Sequence, residues 1–246
     1  MSANIIRNGG VKFYADSELE KWRANTLLEK EPETIAWLNH YSMLGGRFYD
    51  IGANIGIYSI YAASLNRDLE VYAFEPVQEN YCALANNIIL NEAPNIHVFP
   101  FAASTINKLT TLFIKDSRIG NSGAQIEEPI DERGNLFSSL DTQLVLSLSL
   151  DSMVQEFGFP APNFVKIDVD GHERNIIEGM NNILEMDSLQ SILIEFNSIP
   201  EKEHFSAIFE KHMLRPDPLF NDHPEHSKKR RSANNGTAIN CVFTKD

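Results

Sequence analysis

The chain has 246 residues, 43% of them hydrophobic, and carries a net charge of −13 from 34 acidic and 21 basic side chains. That length and balance suit one α/β domain of ordinary globular composition. An acidic chain has no overall basic field for polyanions, so nucleic acid is not expected as a partner, and no apolar stretch approaches the ~20 residues of a membrane span.

The first residues, "MSANIIRNGGVKFYAD", lack the apolar core of a signal peptide, and "VKFYA" (11–15) reads as a short strand. Ser17, with Glu20 three positions on, forms a capping box for a helix over "ELEKWRANTLLEKE". Pro32 suits the first turn of a second helix, "ETIAWLNHYSML", with Ile35, Trp37 and Leu38 toward a core. From Gly45-Gly46 onward strands and helices alternate. "RFYDI" (47–51) is followed by the helix "GIYSIYAASLN", and "EVYAFEP" (70–76) by "VQENYCALANNIILNEA", with Tyr81, Leu84, Ala85, Ile88 and Ile89 as its apolar face. "NIHVFPFAAS" reads as a third strand, and "KLTTLFIKD" and "LVLSLSLD" as additional ones, the latter leading into a short helix at "SMVQEFG". "NFVKIDV" (163–169), the helix "ERNIIEGMNNILE", the strand "SILIEFN" (191–197), the helix "KEHFSAIFEKH" and a last strand "TAINCVFT" complete the pattern. Such alternation predicts a mainly parallel sheet with helices on both faces. The two cysteines, Cys82 and Cys241, fit a reducing compartment, and a cytoplasmic protein is expected.

Ligands in such sheets bind outside the carboxyl ends of the strands. Four strands end in acidic or glycine-rich residues: Asp50-Gly52, Glu75-Pro76, Asp168-Asp170 and Glu195-Asn197. Gly52 allows a tight turn with a ligand against the backbone, and Gly56 a close approach at the helix start. The spacing, with Asn54 between them, is not the Gly-x-Gly-x-x-Gly of a dinucleotide cradle. A carboxylate ahead of that loop suits a cationic ligand better than a pyrophosphate. Glu75 stands where an acid accepts hydrogen bonds from ribose hydroxyls. Asp168, Asp170, His172 and Glu173 crowd one strand end, which points to a functional role; capping of the next helix is the alternative for Asp170 or Glu173. Asp168, Asp170 and His172 are acceptable metal-ligand types, but Gly171 indicates that the strand has ended before both aspartates can share a face, so no metal is expected.

"FYDIGANIGIYS", "AFEP", "LSLD", "VKIDVDGHE" and "ILIEF", in that order, resemble the FkbM family of S-adenosylmethionine-dependent methyltransferases over about residues 30 to 200. The resemblance implies an α/β class I methyltransferase fold, a Rossmann-like three-layer sandwich whose seven-stranded, mostly parallel sheet has an antiparallel last strand. It implies O-methylation of a hydroxyl on a small molecule or sugar. By position, Asp50, Gly52, Asn54 and Gly56 resemble the loop around the cofactor's methionine moiety, Glu75 the ribose ligand, and Ala102 and Ala103 the adenine site. Asp168 resembles the carboxylate between cofactor and acceptor. The family pattern has a small residue where His172 stands, which makes His172 either a substrate-specific catalyst or a tolerated variation.

An alcohol acceptor calls for a general base, and Asp168 or His172, with Glu195 behind them, are the candidates. A nicotinamide-dependent oxidoreductase and a non-catalytic binding protein on the same scaffold are the alternative functions. The whole chain is expected to be one methyltransferase domain, with residues 1–44 as an extension and 116–143 as a lid-like or substrate-shaping insertion. Residues 221–236, "NDHPEHSKKRRSANNG", contain Lys228, Lys229, Arg230 and Arg231, either a solvated loop or a clamp for an anionic small-molecule or carbohydrate acceptor; His223 and His226 read as surface histidines.

Overall fold

Gly9-Gly10 reverses the chain between two short apolar stretches, which pair as an antiparallel hairpin, β1 (Ile5–Asn8) and β2 (Val11–Tyr14). The computed structural model describes residues 4–131, 134–222 and 239–245, so the cluster from Lys228 to Arg231, with His223 and His226, lies outside the described residues. Ser17 caps α1 (Glu18–Asn25) through the expected box with Glu20. The helix stops at Asn25 rather than continuing to residue 31, and the Thr26 hydroxyl turns back onto the Trp22 carbonyl. α2 (Pro32–Leu44) starts afresh at its proline. The turn between the two helices is thereby free to carry Lys30 and Glu31 to the cleft described below.

The alternation follows: β3 (Gly46–Ile51), α3 (Ile57–Leu65), β4 (Leu69–Phe74), α4 (Gln78–Leu90) and β5 (Ile96–Phe99). The single strand expected over 95–104 is divided at Pro100, which has no N–H to offer a ladder. Beyond it β6 (Phe101–Ala103) joins a separate sheet with β7 (Lys108–Ile114), β8 (Gln125–Ile126) and β9 (Asp141–Leu148), in the order β6-β9-β7-β8. After α5 (Leu150–Gln155) and β10 (Phe164–Ile167), the expected helix over 173–185 is two, α6 (Glu173–Glu178) and α7 (Asn181–Glu185). The break falls at Gly179, where any Cβ would collide with the Ser104 carbonyl oxygen, and Asp151 caps the second piece by accepting from the Asn182 and Ile183 amides. β11 (Ser191–Phe196), α8 (Ile199–Lys211), β12 (Leu214–Pro216), α9 (Pro218–Asn221) and β13 (Ile239–Lys245) complete the chain.

The main sheet has seven strands in the order β12-β13-β11-β10-β3-β4-β5, with β13 antiparallel to both neighbours and the four pairings from β11 to β5 parallel. This is the class I methyltransferase arrangement. Side chains alternate across it: Phe48, Phe164 and Leu193 join Trp37 of α2 on one face, while Tyr49, Val165 and Ile192 join Ile176 and Phe209 on the other. The expected apolar stripe of α4 is corrected in part. Ile89 is exposed, and Asn80 and Asn87 are buried with Leu84 because α4 docks on polar backbone: Asn87 accepts from the Tyr14 amide and donates to the Ile55 carbonyl. Chain order reverses direction between β3 and β10, the topological switch point where such sheets open a crevice.

Gly179→Ala tests the contact that divides α6 from α7. With an ordinary φ at this position, the cost is steric, and a loss of about 1–3 kcal/mol is expected in denaturant unfolding. An unchanged midpoint would show that the two segments have room to separate.

Candidate active site

The site begins with a backbone contact. β3 and β10 run parallel in register, Asp50 opposite Lys166 and Ile51 opposite Ile167, and just past their ends the two chains nearly touch. A Cβ on Gly52 would collide with the Asp168 carbonyl oxygen, and Gly52 also has φ 81°. Gly52 is therefore required by the neighbouring chain itself, in addition to leaving the cleft open beside it. Gly56 serves packing: it caps α3 and leaves room for the Leu84 side chain.

Asn54 and Glu75 brace this turn. One Glu75 oxygen accepts from the Asn54 amide at 2.8 Å and the other from the Val77 amide at 2.9 Å. The Asn54 side chain donates to the Asn121 carbonyl, which also receives Asn80, while Asn80 accepts from the Gly120 amide. On the other wall the Gly123 amide donates to Asp170, and Gln125 donates to the Asp170 carbonyl. The first part of the expected insertion thus forms a roof over the strand ends, tied at both sides. Glu173 is fully buried and accepts from the Val169 and Gly171 amides, so it holds the strand-end turn rather than facing a ligand.

Beneath the roof lies a cleft of about 510 Å³, within the range of small-molecule sites. Five carboxylates line it, Glu31, Glu75, Asp168, Asp170 and Glu195, against two cations, Arg23 and Lys30. Lys166 stands behind this wall, its ammonium 2.9 Å from Asp168, 3.9 Å from Asp50 and 5.2 Å from the Tyr58 ring centroid. Burial opposes charge on Asp168, yet Lys166 and Lys30 outweigh it and hold the carboxyl down at about 2. Glu195 makes no ion pair among the described residues. Burial first, then Asp168, Glu31 and Asp170, push it up to about 9, and Lys30 offsets only part of this. Burial also lifts Glu75 to about 7 against its amide hydrogen bonds. Two acids at the ends of adjacent parallel strands are thus held in opposite protonation states at neutral pH.

The expected residues do not all meet. Gly52, Asn54, Glu75, Asp168 and Glu195 share the cleft. Asp50 lies behind it, 1% exposed, taking a 2.5 Å hydrogen bond from Ser59, and burial pushes its carboxyl up. His172 faces a different recess with Ala102 and Ala103, an apolar hollow that shares Gly52, Pro76, Ala124 and Val169 with the cleft wall. There it meets the Ser104 hydroxyl at 3.0 Å, and burial lowers its pKa. The sequence reading missed Arg23, Lys30, Glu31 and Lys166. A lysine inside the apolar run "NFVKIDV" was the available signal, because a strand covered on both faces has no place for an ammonium without buried acids. Among the described residues no group of three His, Cys, Asp or Glu side chains is arranged to hold a metal ion.

A cleft with more acids than bases fits a cation, and an acid at the end of the second parallel strand of the αβ unit fits a ribose. The molecule resembles the solved S-adenosylmethionine-dependent methyltransferase from Agrobacterium tumefaciens at a TM-score of 0.51, with 9% identity over 99% of this chain and 70% of that one, a likeness of fold. It is 26% identical over 187 residues to the hexuronic acid methyltransferase AglP of Haloferax volcanii, covering 76% of this chain and 70% of the relative. To the 31-O-demethyl-FK506 methyltransferase FkbM of Streptomyces tacrolimicus it is 22% identical over 210 residues, 72% of this chain and 76% of that one. Fold and cleft define a class I methyltransferase, and its cofactor is S-adenosylmethionine. With residues 50–228 matching the methyltransferase FkbM domain, the chain belongs to the FkbM family. The nicotinamide-dependent and non-catalytic alternatives are set aside.

Glu195 supplies a pH test. Its folded value lies above the ordinary 4.5, so the folded state binds more protons than the unfolded one, and its contribution to stability is lost as pH rises through about 9. Glu195→Gln should therefore raise the melting temperature over wild type by a margin that grows between pH ~5 and ~9. A margin independent of pH would show that Glu195 ionises normally.

Proposed function

We propose that this enzyme transfers a methyl group from S-adenosylmethionine to an oxygen of a sugar or similar polyhydroxylated small molecule, in particular one bearing an acidic group. The observation that carries this reading is the pair Asp168 and Glu195, ionised and protonated respectively, lining the same cleft. Trp22, 45% exposed at the cleft wall, offers an apolar face for a sugar ring. One of the two curated relatives is named for hexuronic acid, an acidic sugar, and the other for an O-demethylated compound.

When bound, S-adenosylmethionine supplies a methyl group on a positively charged sulfur. Glu75, next to the Asn54 turn, is placed to accept from the ribose hydroxyls, and the recess lined by Ala102, Ala103 and Phe74 suits the adenine. Asp168, kept ionised by Lys166, orients the acceptor hydroxyl by accepting its hydrogen bond. Glu195 is protonated in the free enzyme; beside a bound sulfonium its pKa would fall and its proton would pass to solvent. The resulting carboxylate, in a desolvated site, is the general base for the acceptor hydroxyl, worth roughly two to four orders of magnitude. His172 has no part in this step, because it faces the recess and Ser104. Among the described residues no helix is long and apolar enough to cross a membrane; a chain with only two cysteines fits a reducing, cytoplasmic compartment.

The test is methyl transfer from labelled S-adenosylmethionine to a panel of uronic acids and neutral sugars, followed by variants with the acceptor found. Glu195→Gln and Asp168→Asn should each lower kcat by about 100-fold or more, and His172→Ala by less than tenfold. The reverse ranking would sink the assignment and restore His172 as the base. Proton uptake or release is a separate check: binding of S-adenosylmethionine at neutral pH should release about one proton. Equal binding enthalpies in buffers of different ionisation enthalpy would refute that coupling.

A further inference from the structure

The two cations of the cleft wall come from the segment before the family-matched residues, Arg23 from α1 and Lys30 from the turn that follows. Against burial, nearby acids raise the pKa of Lys30 and hold it charged, so both cations are present in the free enzyme. Each lies within the other's field, and both line the cleft and a smaller pocket that extends from it past Gly52 and Asn54. Lys30 has an ion pair with Glu31 at 2.6 Å. Arg23 donates Nε–H to the Gly120 carbonyl and makes no ion pair among the described residues, which leaves the outer edge of its guanidinium without a carboxylate. Its field reaches Glu75, Asp168 and Asp170, so it stands among the acids of the cleft rather than outside it.

We propose that Arg23 and Lys30 form a carboxylate-binding site at the edge of the cleft, contributed by the N-terminal segment. A cleft that holds both acids and a planar, bidentate donor matches a zwitterion or an acid sugar better than a simple cation. Two ligands bring such a carboxylate: the methionine end of the cofactor and an acidic acceptor. The second arm rests on the acceptor reading given above; the first does not.

The experiment measures S-adenosylhomocysteine, methylthioadenosine and glucuronate binding to wild type and to Arg23→Gln and Lys30→Gln by calorimetry, with glucuronate titrated into the S-adenosylhomocysteine complex. Methylthioadenosine keeps the nucleoside and lacks the amino-acid end. If the cofactor's carboxylate is bound, both substitutions weaken S-adenosylhomocysteine about tenfold or more and leave methylthioadenosine within twofold. If the acceptor's is bound, S-adenosylhomocysteine and methylthioadenosine keep their affinities and glucuronate binding is lost. Arg23→Lys should recover part of either effect, because it restores charge without the fork. A parallel fall for S-adenosylhomocysteine and methylthioadenosine would mean that Arg23 only holds the Gly120 segment in place, and would overturn the proposal. So would variants that bind all three compounds as wild type does. A wild type that ignores glucuronate while its variants lose S-adenosylhomocysteine would refute the acidic-acceptor reading alone.

Discussion

One buried ammonium organises the active end of this fold. Lys166 is 2% exposed in the middle of β10, a strand otherwise made of Phe164, Val165 and Ile167. Taking an ammonium out of water costs several kcal/mol, and only close acids and a polarised ring offset that cost. Register supplies the partners: Asp50 stands opposite it on β3, and Asp168 follows it beyond the strand end. Asp168 is then anionic, even though burial opposes the charge. That anion, together with Glu31 and Asp170, helps keep Glu195 neutral. The opposed states of the two cleft acids thus depend on the burial of Glu195 and on one lysine that stands outside the main cleft.

The same strand pair fixes the shape of the cleft. Gly52 lets the turn after β3 lie against the Asp168 backbone, and any side chain there would drive the two strand ends apart. Because the strands converge, Asn54 and Asp170 stand where they can hold the segment from Gly120 to Gln125 overhead, with Asn80 as a third anchor. The roof, the N-terminal turn and the strand ends therefore enclose one space, although they are far apart in the chain. Side-chain amides do most of this fastening. They satisfy exposed loop carbonyls and amides without adding charge to a site already rich in it.

Much of the architecture was legible. Parallel strands covered on both faces read as apolar runs, so "RFYDI" and "SILIEFN" stood out, and Ser17 with Glu20 marked a helix start that the structure keeps. The departures share a cause in tertiary contact. Residues 26–31 have helical composition, yet the chain leaves α1 at Asn25 and brings Lys30 and Glu31 to the cleft. The helix over 173–185 is interrupted because Gly179 touches Ser104, a residue from the other side of the molecule in sequence. Pro100 was visible, but a proline only forbids a ladder bond; it does not reveal that the strand after it belongs to another sheet.

The site divides the same way. Composition and local order determined the alternation of strands and helices, the acidic strand ends, the glycine turn and, through their joint order, the family and its cofactor, since each of these is set by residues close together in the chain. Only the tertiary structure decided that Asp50 turns inward, that His172 faces a separate recess, and that Arg23, Lys30 and Glu31 complete the cleft. It also decided which acid is charged. A carboxyl group's proton affinity depends on its burial and on charges within a few ångströms, and those around Glu195 come from Glu31, Asp168 and Asp170, residues that only the folded sheet brings together.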